Sequence, residues 1–276
     1  MPEDIINSLR GEYSTHIAEL YSTAKYRRKT EEFIDGIFAL LNSFSGHPFT
    51  KVEEKIVLAQ GEIMSTNMFV NYLLERGEDV RLLQALDFMR IDENAEPDLV
   101  YIKDNLSAQV AKKEAHIYVT QGYICRNSLG EIDNLKRGGS DYTASLVGAA
   151  IGAEEIQIWT DIDGMHNCDP RFVEGTRAVH HIHFDEASEL AYFGARVLHP
   201  TCILPARMAN IPVRILNTMQ PDAEGTLINN ELEPGTIKSV AVKDDIVAIR
   251  IKSSRMLLAH GFMRKVFEIF EKYKTS

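Results

Sequence analysis

The run Lys136-Arg137-Gly138-Gly139-Ser140-Asp141 sets two cations, two glycines, a hydroxyl and a carboxylate side by side. Paired glycines enter backbone conformations closed to residues with a Cβ, and let a ligand approach the amides. Arg137 adds a planar fork suited to a carboxylate or a phosphate. Ser140 or Asp141 is placed to cap a helix starting near Tyr142, whose free N–H groups and dipole favour an anion. The spacing is that of an anion site. It is not a P-loop, because no Gly-Lys-Ser/Thr follows, and it is not a dinucleotide fingerprint, because G-x-G-x-x-G is absent.

Other chemistry-bearing residues sit where an α/β sheet would present them. Ile156 to Thr160 reads as a buried strand, and Asp161, Asp163, Asp169 and Arg171 lie on the loop beyond it. In open α/β sheets ligands bind at that end of a strand. The helix between the Gly-Gly turn and this strand carries Ala144, Gly148, Ala149, Gly152 and Ala153, small residues that permit close packing on a sheet.

The positioning elements follow from periodicity. Helical spacing runs over residues 5–24, 31–44 and 52–74, so three helices come first, and Glu62 lies on the third. From Asp79 the pattern shortens. Val80–Leu83 and Leu99–Tyr101 read as strands, 104–113 as a short helix, and 115–120 as a strand ending at Gln121-Gly122-Tyr123-Ile124. Residues 126–134 read as a polar loop. Ala178 to Phe184 alternates as a strand; its His180, His181 and His183 lack an acidic or Cys partner at metal spacing and read as a solvated edge. Asp185 or Glu186 opens a helix over 189–200, where His199 reads as structural, and 211–216 is a further strand. Polar residues 229–235 suit a linker. Beyond it, 237–251 alternates as two short strands, and 261–274 forms an amphipathic helix with Phe262, Val266, Phe267, Ile269 and Phe270 inward.

Composition narrows the classes. A chain of 276 residues forms one large domain or two smaller ones. Its net charge of −10 argues against nucleic acid or an anionic membrane surface as partner. Cys125, Cys168 and Cys202 have no metal-like spacing and suit a reducing cytoplasm. No apolar run approaches the roughly 20 residues that span a bilayer, and no signal-peptide pattern opens the sequence.

Four segments in one order carry a resemblance. Gln60-Gly61-Glu62-Ile63-Met64-Ser65-Thr66, the run from Arg137 to Ala144, Trp159-Thr160-Asp161-Ile162-Asp163-Gly164 with Asp169-Pro170-Arg171, and Glu189 to Pro200 resemble the aspartate kinases, of the amino acid kinase fold. The resemblance implies an α/β, three-layer kinase domain over 1–228, a linker over 229–236, and the beginning of an α+β ACT regulatory domain over 237–276. Aspartate kinases open on a strand and Lys-Phe-Gly-Gly-Thr-Ser, which has no counterpart here; the chain is therefore expected to lack the first strands of the kinase domain and to stop inside the ACT domain.

The activity implied is transfer of the ATP γ-phosphoryl group to the side-chain carboxylate of L-aspartate, giving 4-phospho-L-aspartate. By that resemblance Arg137 takes the aspartate α-carboxylate and Glu62 its ammonium group, with Gln121, Gly122, Gly138, Gly139 and Ser140 lining the pocket. Ser140 and Asp141 lie beside the transferring phosphate, and Asp141 faces Mg²⁺. Thr160, Asp161, Asp169, Arg171 and Arg196 attend ATP; at Arg196 the family has lysine, so a fork replaces a point donor. An inhibitory lysine or threonine at the ACT domain and a homodimer are also implied. Two alternatives stand beside this reading: a sister kinase acting on glutamate, acetylglutamate or UMP, and a non-catalytic effector-binding or oligomerising subunit.

Overall fold

The computed structural model describes residues 2–112, 114–169, 171–193, 198–233, 237–241, 247, 249–252 and 260–273. Helices α1 (Pro2–Leu20), α2 (Ala24–Ser43) and α3 (Lys51–Glu75) come first, as the periodicity indicates. A capping box starts α3: Thr50 Oγ1 accepts from Glu53 N–H, and the Glu53 carboxylate accepts from Thr50 N–H. Ile17, Tyr21, Ile34, Phe38, Met64 and Met68 close a core among the three helices. Inside it, Tyr21 Oη donates to the Met68 carbonyl at 2.7 Å and Asn71 Nδ2 to Thr30 Oγ1 at 3.0 Å, which pairs these buried polar groups.

Then come β1 (Val80–Leu83), α4 (Ala85–Phe88), α5 (Leu99–Ala111), β2 (Ile117–Thr120), β3 (Ile124–Arg126) and β4 (Ile132–Asn134). β1 and β2 pair in parallel, Val80 opposite Ile117 and Leu83 opposite Thr120. Leu99-Val100-Tyr101 is not a strand but the first turn of α5, because Asp98 accepts from Tyr101 N–H at 3.0 Å and caps the helix. Residues 126–134 are not a plain loop, because β3 and β4 form an antiparallel hairpin with Ile124 opposite Asn134 and Arg126 opposite Ile132.

Asp98 also pairs with Arg90, whose guanidinium lies 3.7 Å from the Tyr101 ring centroid. Arg90 first, and the Tyr101 amide second, hold the Asp98 carboxyl below its ordinary range. Asp98→Ala is expected to cost about 1 kcal/mol at neutral pH, the usual worth of a cap. The folded-state value is lowered, so this contribution is complete above the ordinary aspartate range and is lost as pH falls through the lowered value. Urea unfolding of wild type and variant at neutral and acidic pH checks it: the gap should close in acid.

α6 (Gly139–Ile151) leads to β5 (Ile156–Thr160), β6 (His181–His183), α7 (Phe184–Phe193), a 3-10 turn (Pro200–Ile203), α8 (Leu204–Met208), β7 (Val213–Asn217) and β8 (Thr226–Asn229). These strands form a sheet in the order β5-β7-β8-β6. β5 and β7 are parallel, so Thr160 and Asn217 finish side by side. A Cβ on Gly148 would lie 2.4 Å from Ile156 Cγ1, so that glycine lets α6 lie directly on β5. Tyr142, on α6, packs against both the core built on α4 and α5 and the core of the four-stranded sheet. α6 is thus the wall between them.

The strand read over 178–184 is shorter, because Phe184 turns its buried ring into the first residue of α7. Glu186 accepts from His183 N–H at 2.9 Å, and Asp185 and Glu186 lie in the first turn, where acidic groups favour a helix start. α7 therefore begins five residues before Glu189, and residues 194–197 of the expected helix lie outside the described residues. His181 Nε2 bonds Asn229 Oδ1 at 2.7 Å, and His183 Nδ1 accepts from Asp185 N–H at 3.1 Å.

Two compact units divide the chain, residues 1–242 and 243–276. In the expected strand pair over 237–251, the described residues form no strand, and 242–246 and 248 lie outside the described set. The second unit contains α9 (Phe262–Lys272). Of its apolar stripe, Phe262, Val266 and Phe270 are half-buried, whereas Phe267 and Ile269, expected inward, are exposed. Among the described residues no helix is long and apolar enough to cross a membrane.

Candidate functional site

The Gly-Gly turn forms because Lys136, at φ 61°, and Gly138, at φ 70°, both enter the left-handed region. Gly139 N–H donates to the Lys136 carbonyl at 3.2 Å and closes the turn. Gly138, rather than Ser140 or Asp141, is the N-cap of α6, without a side-chain cap bond. Ser140 and Asp141 instead occupy the first helical turn, where N–H groups have no acceptor within the helix. The expected cap is thus replaced by backbone geometry.

Three glycines press neighbouring segments together here. A Cβ on Gly138 would sit 2.8 Å from Cys202 Sγ and 3.0 Å from His199 Cβ. One on Gly139 would sit 2.7 Å from Tyr123 Cδ2, and one on Gly122 2.8 Å from Ser140 Oγ. The Gln121-Gly122-Tyr123 turn therefore lies on the first turn of α6. Tyr123, itself at φ 68°, is fixed there by its N–H to Thr143 Oγ1 at 3.1 Å. Beneath the turn, Cys202 S–H donates to the Gly138 carbonyl at 3.2 Å. Burial, and secondarily the nearby Asp141 charge, push that thiol up to about 12, so it stays protonated and structural.

On this surface Arg137 and Ser140 are exposed and Asp141 half-buried. Burial alone raises the Asp141 carboxyl above its ordinary value. A half-buried carboxylate in that state favours a cation. Its ionised form destabilises the ligand-free fold, and that penalty grows as pH rises through the raised value. Asp141→Asn is therefore expected to raise the unfolding midpoint of the ligand-free protein at neutral pH and to abolish any Mg²⁺-induced stabilisation. Thermal unfolding with and without Mg²⁺ checks both.

Glu62 is half-buried on α3. One turn on, Thr66 Oγ1 donates to the Glu62 carbonyl at 2.7 Å. Gln121 differs from its expected place as a pocket-lining group. It is fully buried, its Oε1 accepts from Ala85 N–H at 2.8 Å, and its Nε2 donates to Thr66 Oγ1 at 2.9 Å and Gln84 Oε1 at 3.2 Å.

The remaining residues gather beyond β5. Thr160 lies at the strand end, where Thr218 N–H donates to its carbonyl at 2.8 Å, and Asp161 is exposed beside it. Asp169 and Arg171 are paired to each other, Arg171 Nε lying 3.0 Å from both carboxylate oxygens. His166 bonds Asp163 Oδ1 at 2.6 Å and Thr176 Oγ1 at 2.8 Å, and it lowers the Asp163 carboxyl. Arg196 lies outside the described residues. The turn from Asn217 to Gly225 was not singled out from sequence, yet it borders Thr160. Buried Asn217 shapes it by accepting from Met219 N–H at 2.8 Å, and Gly225 ends it at φ 66°. The available signal was Asn and Gly bracketing a polar stretch after a strand.

The profile of the amino acid kinase family matches residues 13–217. The chain belongs to that family. Among its family relatives, aspartokinase 2, chloroplastic, of Arabidopsis thaliana is 36% identical over 252 residues, covering 87% of this chain and 46% of the relative. Lysine-sensitive aspartokinase 3 of Escherichia coli is 33% identical over 255 residues, covering 91% of this chain and 57% of the relative. The structure of E. coli aspartokinase III in complex with aspartate and ADP superimposes with a TM-score of 0.79 at 30% identity, over 98% of this chain and 62% of that one. The chain therefore has the α/β amino acid kinase fold, and its likeness to the aspartokinase structure runs over nearly its whole length. It spans about half the length of the curated relatives it matches.

Proposed function

We propose that this chain is the kinase part of an aspartate kinase, which transfers the ATP γ-phosphoryl group to the side-chain carboxylate of L-aspartate. The observation that carries this reading is the junction of Gly122 with the Gly138-Gly139-Ser140 turn. It sets an exposed arginine fork, a hydroxyl and a partly desolvated carboxylate around one helix start. The solved E. coli relative holds aspartate and ADP, and the same two ligands are proposed here.

Arg137 grips the α-carboxylate through its fork, and Glu62 receives the ammonium group. The side-chain carboxylate of the substrate then lies over the first turn of α6, near Ser140 and the free N–H groups that stabilise added negative charge. Little covalent chemistry is asked of the protein; orientation and charge neutralisation supply the rate. ATP sits at the common end of β5 and β7, with Asp161 toward ribose or base. Asp169, Arg171 and Arg196 complete the proposed ATP set, Arg171 releasing Asp169 to meet phosphate. Mg²⁺, when bound, neutralises phosphate charge. Asp141, half-buried with a raised carboxyl value, is the residue that fits it.

The three-layer kinase domain over 1–228 and the ACT start over 237–276 belong to the same proposal, as do a homodimer, an inhibitory lysine or threonine, and a cytoplasmic setting suited to the buried free thiols Cys125 and Cys202. Incubating the chain with ATP, Mg²⁺ and hydroxylamine tests the activity, because an acyl phosphate is trapped as a hydroxamate. Hydroxamate formed with L-aspartate, and not with L-glutamate or N-acetyl-L-glutamate, is the expected result. Hydroxamate confined to glutamate or acetylglutamate, or ATP consumed on UMP with no hydroxamate formed, would select a sister kinase.

A further inference from the structure

We propose that Thr66 and Gln121 are positioning residues that set the distance between the two ends of the amino acid site, an inference that rests on the aspartate kinase reading. A primary amide is costly to bury unless its hydrogen bonds are made. Gln121 is fully buried, and its oxygen and both amide hydrogens are engaged by Ala85 N–H, Thr66 Oγ1 and Gln84 Oε1. Thr66 in turn gives its single hydroxyl hydrogen chiefly to the Glu62 carbonyl at 2.7 Å, with the Ile63 carbonyl farther off at 3.3 Å, while accepting from Gln121 at 2.9 Å. No donor is left over, and the direction of each bond is fixed.

The connected parts give this relay its meaning. At one end is the turn of α3 that carries Glu62, the group assigned to the substrate ammonium. At the other, Gln121 precedes Gly122, which lies against Ser140 on the turn that also carries Arg137. The span between ammonium and α-carboxylate partners is therefore held by one side chain, one hydroxyl and a glycine contact. Asparagine is a methylene too short to reach the same three partners. Displacing one end moves Glu62 relative to Arg137, and errors of about 1 Å in such a constellation are expensive. The ATP groups beyond β5 are outside the relay.

That separation supplies the test. L-Aspartate and ATP-Mg²⁺ are titrated calorimetrically into the full chain as wild type, Thr66→Val, Thr66→Ser and Gln121→Met. Thr66→Val keeps the shape and removes the hydroxyl; its L-aspartate Kd should rise about tenfold, the worth of one internal hydrogen bond, with the nucleotide Kd unchanged. Gln121→Met should behave alike, and Thr66→Ser should restore wild-type affinity. If Thr66→Val does not fold, Thr66→Cys gives the comparison with a weaker donor. Equal weakening of both ligands, or unchanged L-aspartate affinity in the folded variants, overturns the positioning role while leaving the kinase reading intact. A folded wild type that fails to bind L-aspartate overturns both.

Discussion

Replacing Arg137 with alanine is expected to weaken L-aspartate binding about 100-fold, close to 3 kcal/mol, while leaving the unfolding midpoint of the ligand-free protein unchanged. The two halves of that expectation have separate causes. Arg137 is exposed at the turn, so the fold loses little when it is truncated. A planar fork that meets a carboxylate through two charge-assisted hydrogen bonds is worth much more to the ligand than to the protein. Arg137→Lys should recover only part of the affinity, because an ammonium keeps the charge and not the paired geometry. Calorimetry alongside thermal unfolding decides it. A fall in midpoint matching the loss of binding would make Arg137 structural, and unchanged binding would remove it from the site.

Gly138→Ala should act in the opposite sense, on the fold first. At φ 70° any side chain is strained, and the added Cβ would meet Cys202 Sγ at 2.8 Å and His199 Cβ at 3.0 Å. Strain and overpacking together should cost about 2–4 kcal/mol. Relief requires the turn to move off the 3-10 segment beneath it, breaking the Cys202 bond to the Gly138 carbonyl and displacing Arg137. Urea unfolding measures the loss directly. Stability within about 0.5 kcal/mol of wild type, the range of an ordinary surface change, would show that the turn does not need its left-handed residue.

Much of this was legible because it depends on local pattern. The opening helices, β1, β5, β7 and the small-residue face of α6 follow from periodicity and from side-chain size. The failures have equally local causes. Leu99-Val100-Tyr101 is apolar and short, and three such residues do not separate strand from helix; the Asp98 cap settled it. Residues 126–134 looked polar, yet pairing of Ile124 with Asn134 makes a hairpin that no single segment reveals. Ser140 and Asp141 have the chemistry of caps, but two left-handed residues, Lys136 and Gly138, already turn the chain, which frees both side chains.

At the candidate site, sequence supplied residue types and structure supplied their occupation. Arg137, Ser140 and Asp141 fall on one helix start. Gln121, marked as a pocket residue, is instead committed to Thr66, Gln84 and Ala85, contacts that join residues far apart in sequence. Asp169 and Arg171 looked like two separate ligand groups and are one ion pair in this structure. The amphipathic pattern of α9 correctly marked a helix, although periodicity cannot say whether its apolar face is covered; Phe267 and Ile269 are exposed.

The most direct measurement is a crystal structure of the full chain grown with L-aspartate. The expected density places the α-carboxylate on the Arg137 fork, the ammonium on Glu62, and the side-chain carboxylate over the first turn of α6 near Ser140. L-Aspartate bound elsewhere, or reversed with its side chain on Arg137, would contradict the proposed phosphoryl acceptor and the role given to this turn.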